Sequence, residues 1–180
     1  MPNNKHRLYI AFYHRTSKPG FHFALILSPK NESRNDYHIY HAINTIKHGI
    51  KFNLNGMPQW RFEHKTVNGF RKGTAIGGRV LIAKLPAHEP VVTYAERIHD
   101  ILAQVPLVQN DAQWDCRVWM IEALAALRAK GGDFSTIPEV TNRDQADGEL
   151  KRFGDTVRDI ALKGRPSGVS DLPHIDMRVR

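Results

Sequence analysis

The chain holds one cysteine, Cys116, and ten histidines. A thiol beside an imidazole is the smallest pairing that can form and resolve a covalent acyl intermediate. Cys116 lies in Gln113-Trp114-Asp115-Cys116-Arg117-Val118-Trp119, where Asp115 can serve as a helix N-cap. Cys116, Trp119, Met120, Ala123, Leu124 and Leu127 then recur at helical spacing. The expected helix puts Cys116 in its first turn, where unpaired amides and the helix dipole favour a thiolate; the charge of Asp115 opposes them. The competing use of such a residue is as a small buried hydrophobe on an apolar helix face. Among the histidines, His22 interrupts the apolar run Phe21-His22-Phe23-Ala24-Leu25-Ile26-Leu27. An imidazole there costs desolvation unless it has a partner, either a catalytic one or a plain backbone carbonyl.

Strands must carry these side chains. Residues 7–13 alternate as a first strand, 21–28 read as a central strand closed by Pro29, and 37–44 follow as its hairpin partner. Period-two geometry places Tyr37, Ile39, His41 and Ile43 on one face and His38, Tyr40 and Ala42 on the other, so His38 and His41 point in opposite directions. Asn55-Gly56 signals a turn, 60–63 a short strand, 65–78 an exposed connection, and 79–85 a buried strand ended by Pro86. Helices follow: one starting near Pro90 or Thr93 and ending before Pro106, then the cysteine helix to about residue 130, stopped by Gly131-Gly132. A charged helix over 142–163 is weakened by Gly148 and Gly154, and the chain from 164 reads as a loose tail. The expectation is an α+β fold, an antiparallel sheet packed against helices, with one domain over 1–165 and a tail over 166–180.

Composition bounds the function. The 180 residues are 41% hydrophobic, enough for one buried core. The formal charge of +8 favours anionic partners, but the basic residues are scattered, with short clusters at 5–7, 71–72 and 178–180, and no nucleic-acid motif accompanies them. No apolar run reaches membrane-spanning length and the first residues are polar, so the reading is a cytoplasmic protein. A single cysteine excludes an intrachain disulfide and a multi-cysteine zinc site. His38 and His41 face apart and no helical His-x-x-x-His pair occurs, which argues against a dedicated metal site. Gly73-Thr74-Ala75-Ile76-Gly77-Gly78 lacks the lysine of a phosphate loop, and no cofactor is expected.

The order of these parts, a strand histidine, a second strand histidine, further strands, and then Asp-Cys opening a helix, resembles the circularly permuted papain-like proteins. That group includes the lecithin:retinol acyltransferase-like proteins and the PPPDE-type peptidases. His22-Phe23-Ala24-Leu25-Ile26-Leu27 matches the family's histidine strand, Tyr40-His41-Ala42 its second histidine strand, and Asp115-Cys116-Arg117-Val118-Trp119 its Asn-Cys helix start. The chain looks closest to small uncharacterised fungal proteins with related patterns. The resemblance spans about 21–127 and departs from the family where Asp115 replaces the usual Asn and where the histidines are more widely spaced. It implies a permuted papain-like (NlpC-like) architecture and a thiol hydrolase or acyltransferase acting on an amide, peptide or ester through a thioester. Cys116 is then nucleophile, His22 base and His41 the orienting group, with His38 as the fallback. Trp114 and Asp115 would border the substrate cleft. The alternative is a non-catalytic binding module of the same fold, open to anionic partners.

Overall fold

A computed structural model gives the fold; it describes residues 4–15, 20–32, 36–68, 76–139, 143–163 and 172–180. Five strands come first: β1 (Lys5–His14), β2 (Phe21–Ser28), β3 (Asp36–Ile43), β4 (Arg61–Asn68) and β5 (Ile76–Pro86). Helices α1 (Val91–Leu102), α2 (Cys116–Ala129) and α3 (Arg143–Lys163) follow, and a short strand, β6 (His174–Asp176), comes last. The sheet has the order β4-β3-β2-β1-β5-β6. Neighbours pair antiparallel except β5 and β6, which run parallel. The α+β class expected from sequence is correct, but the sheet is mixed, and the C-terminal stretch expected to be a loose tail supplies its sixth strand through Arg79↔His174 and Leu81↔Asp176.

Alternation along the strands sets the two faces. Leu8, Ile10 and Phe12 of β1 with Leu25 and Leu27 of β2 join Ile98, Trp119 and Leu124 in the larger core, under α1 and α2. Ala11, Ala24, Ile26, Tyr37, Ile39 and Ile76 cluster on the opposite face. The hydrophobic helix faces are those expected from periodicity: Tyr94, Ala95, Ile98 and Leu102 of α1, and Trp119, Met120, Ala123 and Leu127 of α2. Gly131 and Gly132 adopt φ of +64° and +58°, the left-handed conformation that ends a helix without a Cβ penalty.

Two segments were misjudged from sequence. Residues 65–68 extend β4 and 76–78 open β5, so the expected exposed connection shrinks to 69–75, which lies outside the described residues. Gly77 and Gly78 are needed there because α3 crosses them: a Cβ on Gly78 would lie 2.6 Å from Val157 Cγ2. Gly154, a weakness in helix propensity, is where α3 meets β2, since a Cβ there would sit 2.9 Å from the Phe21 ring. Phe153 of the same turn stacks edge-on against Phe12 at 5.2 Å.

Candidate active site

Asp115 caps α2 as its side chain predicts. Its backbone is extended, and Oδ1 accepts from the Arg117 amide at 2.9 Å and from the Val118 amide at 3.3 Å. The other carboxylate oxygen faces Arg117 Nε at 3.5 Å, so a cation beside it offsets its charge. Asp115 therefore acts on the helix start. Cys116 follows as the first helical residue and is 1% exposed. The Phe23 amide of β2 donates to its sulfur. Arg15 Nη2 donates to it as well, at 3.4 Å. Burial nevertheless pushes the thiol above its ordinary pKa, with Asp115 adding to the rise and the Phe23 amide, Arg15 and Arg117 opposing it. The expected thiolate is corrected: desolvation outweighs the helix start, and the resting group is a thiol.

His22 and His41 meet. The β2–β3 ladder runs from Leu27↔His38 to Leu25↔Tyr40, and beyond it the two imidazoles sit diagonally on the sheet face turned away from α1 and α2. His22 Nε2 lies 2.8 Å from His41 Nδ1. His41 Nε2 in turn lies 2.9 Å from Glu63 Oε2, its direct cross-strand partner in the β3–β4 ladder. Burial lowers the pKa of His41 despite Glu63, so His41 is neutral at pH 7 and the contact is a charge-assisted hydrogen bond rather than an ion pair. Burial pushes Glu63 up, but the His41 hydrogen bond and nearby Lys65 and Arg61 hold it below the usual carboxylate range.

These partners fix the tautomers. An ionised carboxylate only accepts, so His41 Nε2 carries the proton and His41 Nδ1 is an acceptor. His22 Nε2 must then donate, leaving His22 Nδ1 with a bare lone pair, the form of a general base. Burial, with His41, Arg15 and Lys65, pulls His22 down to about 4, so it is uncharged at neutral pH.

The structure joins His22 to His41 directly and brings Cys116 to the peptide between His22 and Phe23. No hydrogen bond joins the thiol to the His22 ring; Arg15 acts on both groups. Trp114, expected on a cleft wall, is instead core: it is 6% exposed, with its ring edge-on to Trp60 at 5.3 Å.

Glu63 was missed from sequence because 60–63 read as an isolated strand; its pairing with 37–44 would have set it opposite His41. A second histidine chain was also missed. On the helix side of β3 and β4, His38 Nδ1 lies 3.2 Å from His64 Nε2, and His64 Nδ1 lies 3.1 Å from His99 Nδ1 of α1. His38 therefore takes no part in the His22 chain. His64 spends its two nitrogens on opposite neighbours, so the three imidazoles share no common point for an ion. Among the described residues no group of three or more His, Cys, Asp or Glu could hold a metal. An open cleft of about 750 Å³, lined by Arg7, Tyr9, Lys30, Glu32 and Arg79 among others, lies beyond the other end of β2 and includes none of the site residues.

The fold and site thus define an α+β chain with one buried thiol at a helix start and, on the sheet face turned away from that helix, a His-His-Glu chain. It belongs to a family of unknown function, DUF6914, whose model matches residues 5–146. No curated protein and no solved structure matches it. No helix among the described residues is long and apolar enough to cross a membrane.

Proposed function

We propose that the protein is a cysteine hydrolase or acyltransferase of permuted papain-like architecture. The observation that carries this reading is the His22-His41-Glu63 chain, which leaves a lone pair on His22 Nδ1, while the Cys116 sulfur meets the amide of the next residue, Phe23, and Arg15 acts on both groups. Cys116 attacks a carbonyl carbon, and its proton passes to His22 Nδ1 as the S–C bond forms. The tetrahedral oxyanion takes hydrogen bonds from first-turn amides. The C–N or C–O bond then breaks, His22 returns the proton to the leaving amine or alcohol, and water or an amine resolves the thioester with His22 again as base. With thiol and imidazole both neutral at rest, proton transfer accompanies attack instead of preceding it.

Iodoacetamide labelling followed by intact-mass measurement tests this. Cys116 is expected to react stoichiometrically at pH 7, and His22→Ala is expected to slow the reaction about 100-fold, in the range of general-base catalysis. Equal rates in the two proteins would remove the catalytic pair.

The 1% exposure of Cys116 favours a second reading, a non-catalytic binding module of the same fold. The cleft that includes Arg7, Lys30 and Arg79 would then suit an anionic partner. That module predicts a thiol inert to iodoacetamide in the folded protein and reactive only after denaturation.

A further inference from the structure

Among the described residues no carboxylate pairs with the guanidinium over the thiol. Arg15 follows β1, two residues past Tyr13, the cross-strand partner of His22; it donates to Cys116 Sγ at 3.4 Å and makes no ion pair among the described residues. Both nearby carboxylates are already engaged: Asp115 caps α2 and faces Arg117, and Glu63 accepts from His41. The cations acting on the three reacting side chains are Arg15, Arg117, Lys65 and Arg61, four against those two carboxylates. A sulfur is a poor partner for a guanidinium, whose fork of N–H donors matches a carboxylate in geometry and charge.

We infer that Arg15 is the specificity-determining residue of the site, selecting acyl substrates that carry a carboxylate and uncovering the Cys116 sulfur when that carboxylate takes its guanidinium. The inference rests on the cysteine-nucleophile reading and names its substrate class. It also gives the buried sulfur a function. Arg15 closes the thiol in the resting protein, and the ligand that displaces it arrives with its carbonyl beside the nucleophile. A neutral amide or ester offers Arg15 nothing and reaches the sulfur only when the guanidinium swings aside unaided, so it reacts to completion but more slowly.

Two alkylating reagents of nearly equal size test this in the intact chain. Iodoacetate carries the carboxylate and iodoacetamide does not; each forms one S–C bond, loses iodide and gives up the thiol proton to His22. With free glutathione as the reference for intrinsic reactivity, Cys116 is expected to prefer iodoacetate by about tenfold more than glutathione does, within the range of electrostatic steering in a charged cleft. Arg15→Gln is expected to bring the ratio to that of glutathione, and Arg15→Lys to keep most of the preference, which separates charge from folding. An unchanged ratio in Arg15→Gln would overturn the inference. If iodoacetamide reacts with His22 dependence but iodoacetate has no advantage, the anion selectivity fails and the nucleophile stands. If neither reagent modifies folded Cys116, both fail.

Discussion

The β3–β4 pair carries two histidine chains, one on each face, and they differ at one end. On the face away from the helices, His22-His41 terminates in Glu63; on the helix face, His38-His64-His99 terminates in no carboxylate among the described residues. The spacing is similar, 2.8 Å in the first and 3.2 and 3.1 Å in the second. In the first, the carboxylate makes only one proton arrangement possible and so creates a base of fixed tautomer. In the second, the protons can run in either direction along the chain. Tyr40 stacks on His64 at 4.4 Å, burial and the neighbouring His38 and His99 pull its pKa to about 4, and the chain ties α1 to the sheet. A carboxylate at the end of an imidazole pair fixes where its protons sit; without one they are left free to reverse.

The comparison can be broken at its strongest point by His41→Leu, which removes the group that orients His22. The alkylation rate of Cys116 is expected to fall about 100-fold, while His99→Phe on the other face leaves it within about twofold. Acid tests both faces together. His22 and His64 titrate near 4 when folded and near 6.5 when unfolded, so the unfolded chain binds more protons between those values. Stability contributed by these groups is complete above pH 6.5 and lost as pH falls toward 4. From pH 7 to 5 the loss is roughly 2 kcal/mol after discounting for partial exposure, several degrees in Tm by calorimetry. Glu63→Gln keeps the size but offers an amide that can donate, so the tautomer is no longer imposed. A rate loss of about tenfold is expected, and long-range nitrogen–proton NMR should show His22 changing from an Nε2–H form to a mixture. The smallest effect is that of His64→Phe, which retains the stack on Tyr40 and removes one titrating group. The Tm difference between pH 7 and pH 5 is expected to shrink by about a third, with the labelling rate unchanged.

Much of this site was legible because its signals are local. A cap, a helical apolar stripe and a double glycine located α2, and a polar residue inside an apolar run located His22. Period-two alternation separated His41 from His38, and the structure keeps them on opposite faces. What could not be read depends on pairing across distance. Glu63 reaches His41 only through the β3–β4 register, and His64 fell between the strand expected over 60–63 and the connection expected from 65, because Lys65 and Thr66 at the sheet edge are polar and exposed. Trp114 looked available to a ligand because nothing in its own neighbourhood shows Trp60 closing over it. The Asp115 charge was weighed without Arg117; for the thiol both a helix-start thiolate and a buried hydrophobe were open, and only the packing around it shows that desolvation outweighs the helix start.

The parallel pairing of β6 on β5 bears on the order in which the chain can complete itself. β6 spans three residues and pairs from Arg79 to Leu81, the last part of the sheet to leave a ribosome. Until then the outer edge of β5, within the apolar run Val80-Leu81-Ile82-Ala83, has no strand beside it, and such an edge recruits strands from other chains. α3, which lies over Gly77 and Gly78 near the same strand, is made earlier and shields part of that surface while the edge waits. Expression of a chain shortened before residue 174 is therefore expected to shift protein from the soluble to the aggregated fraction.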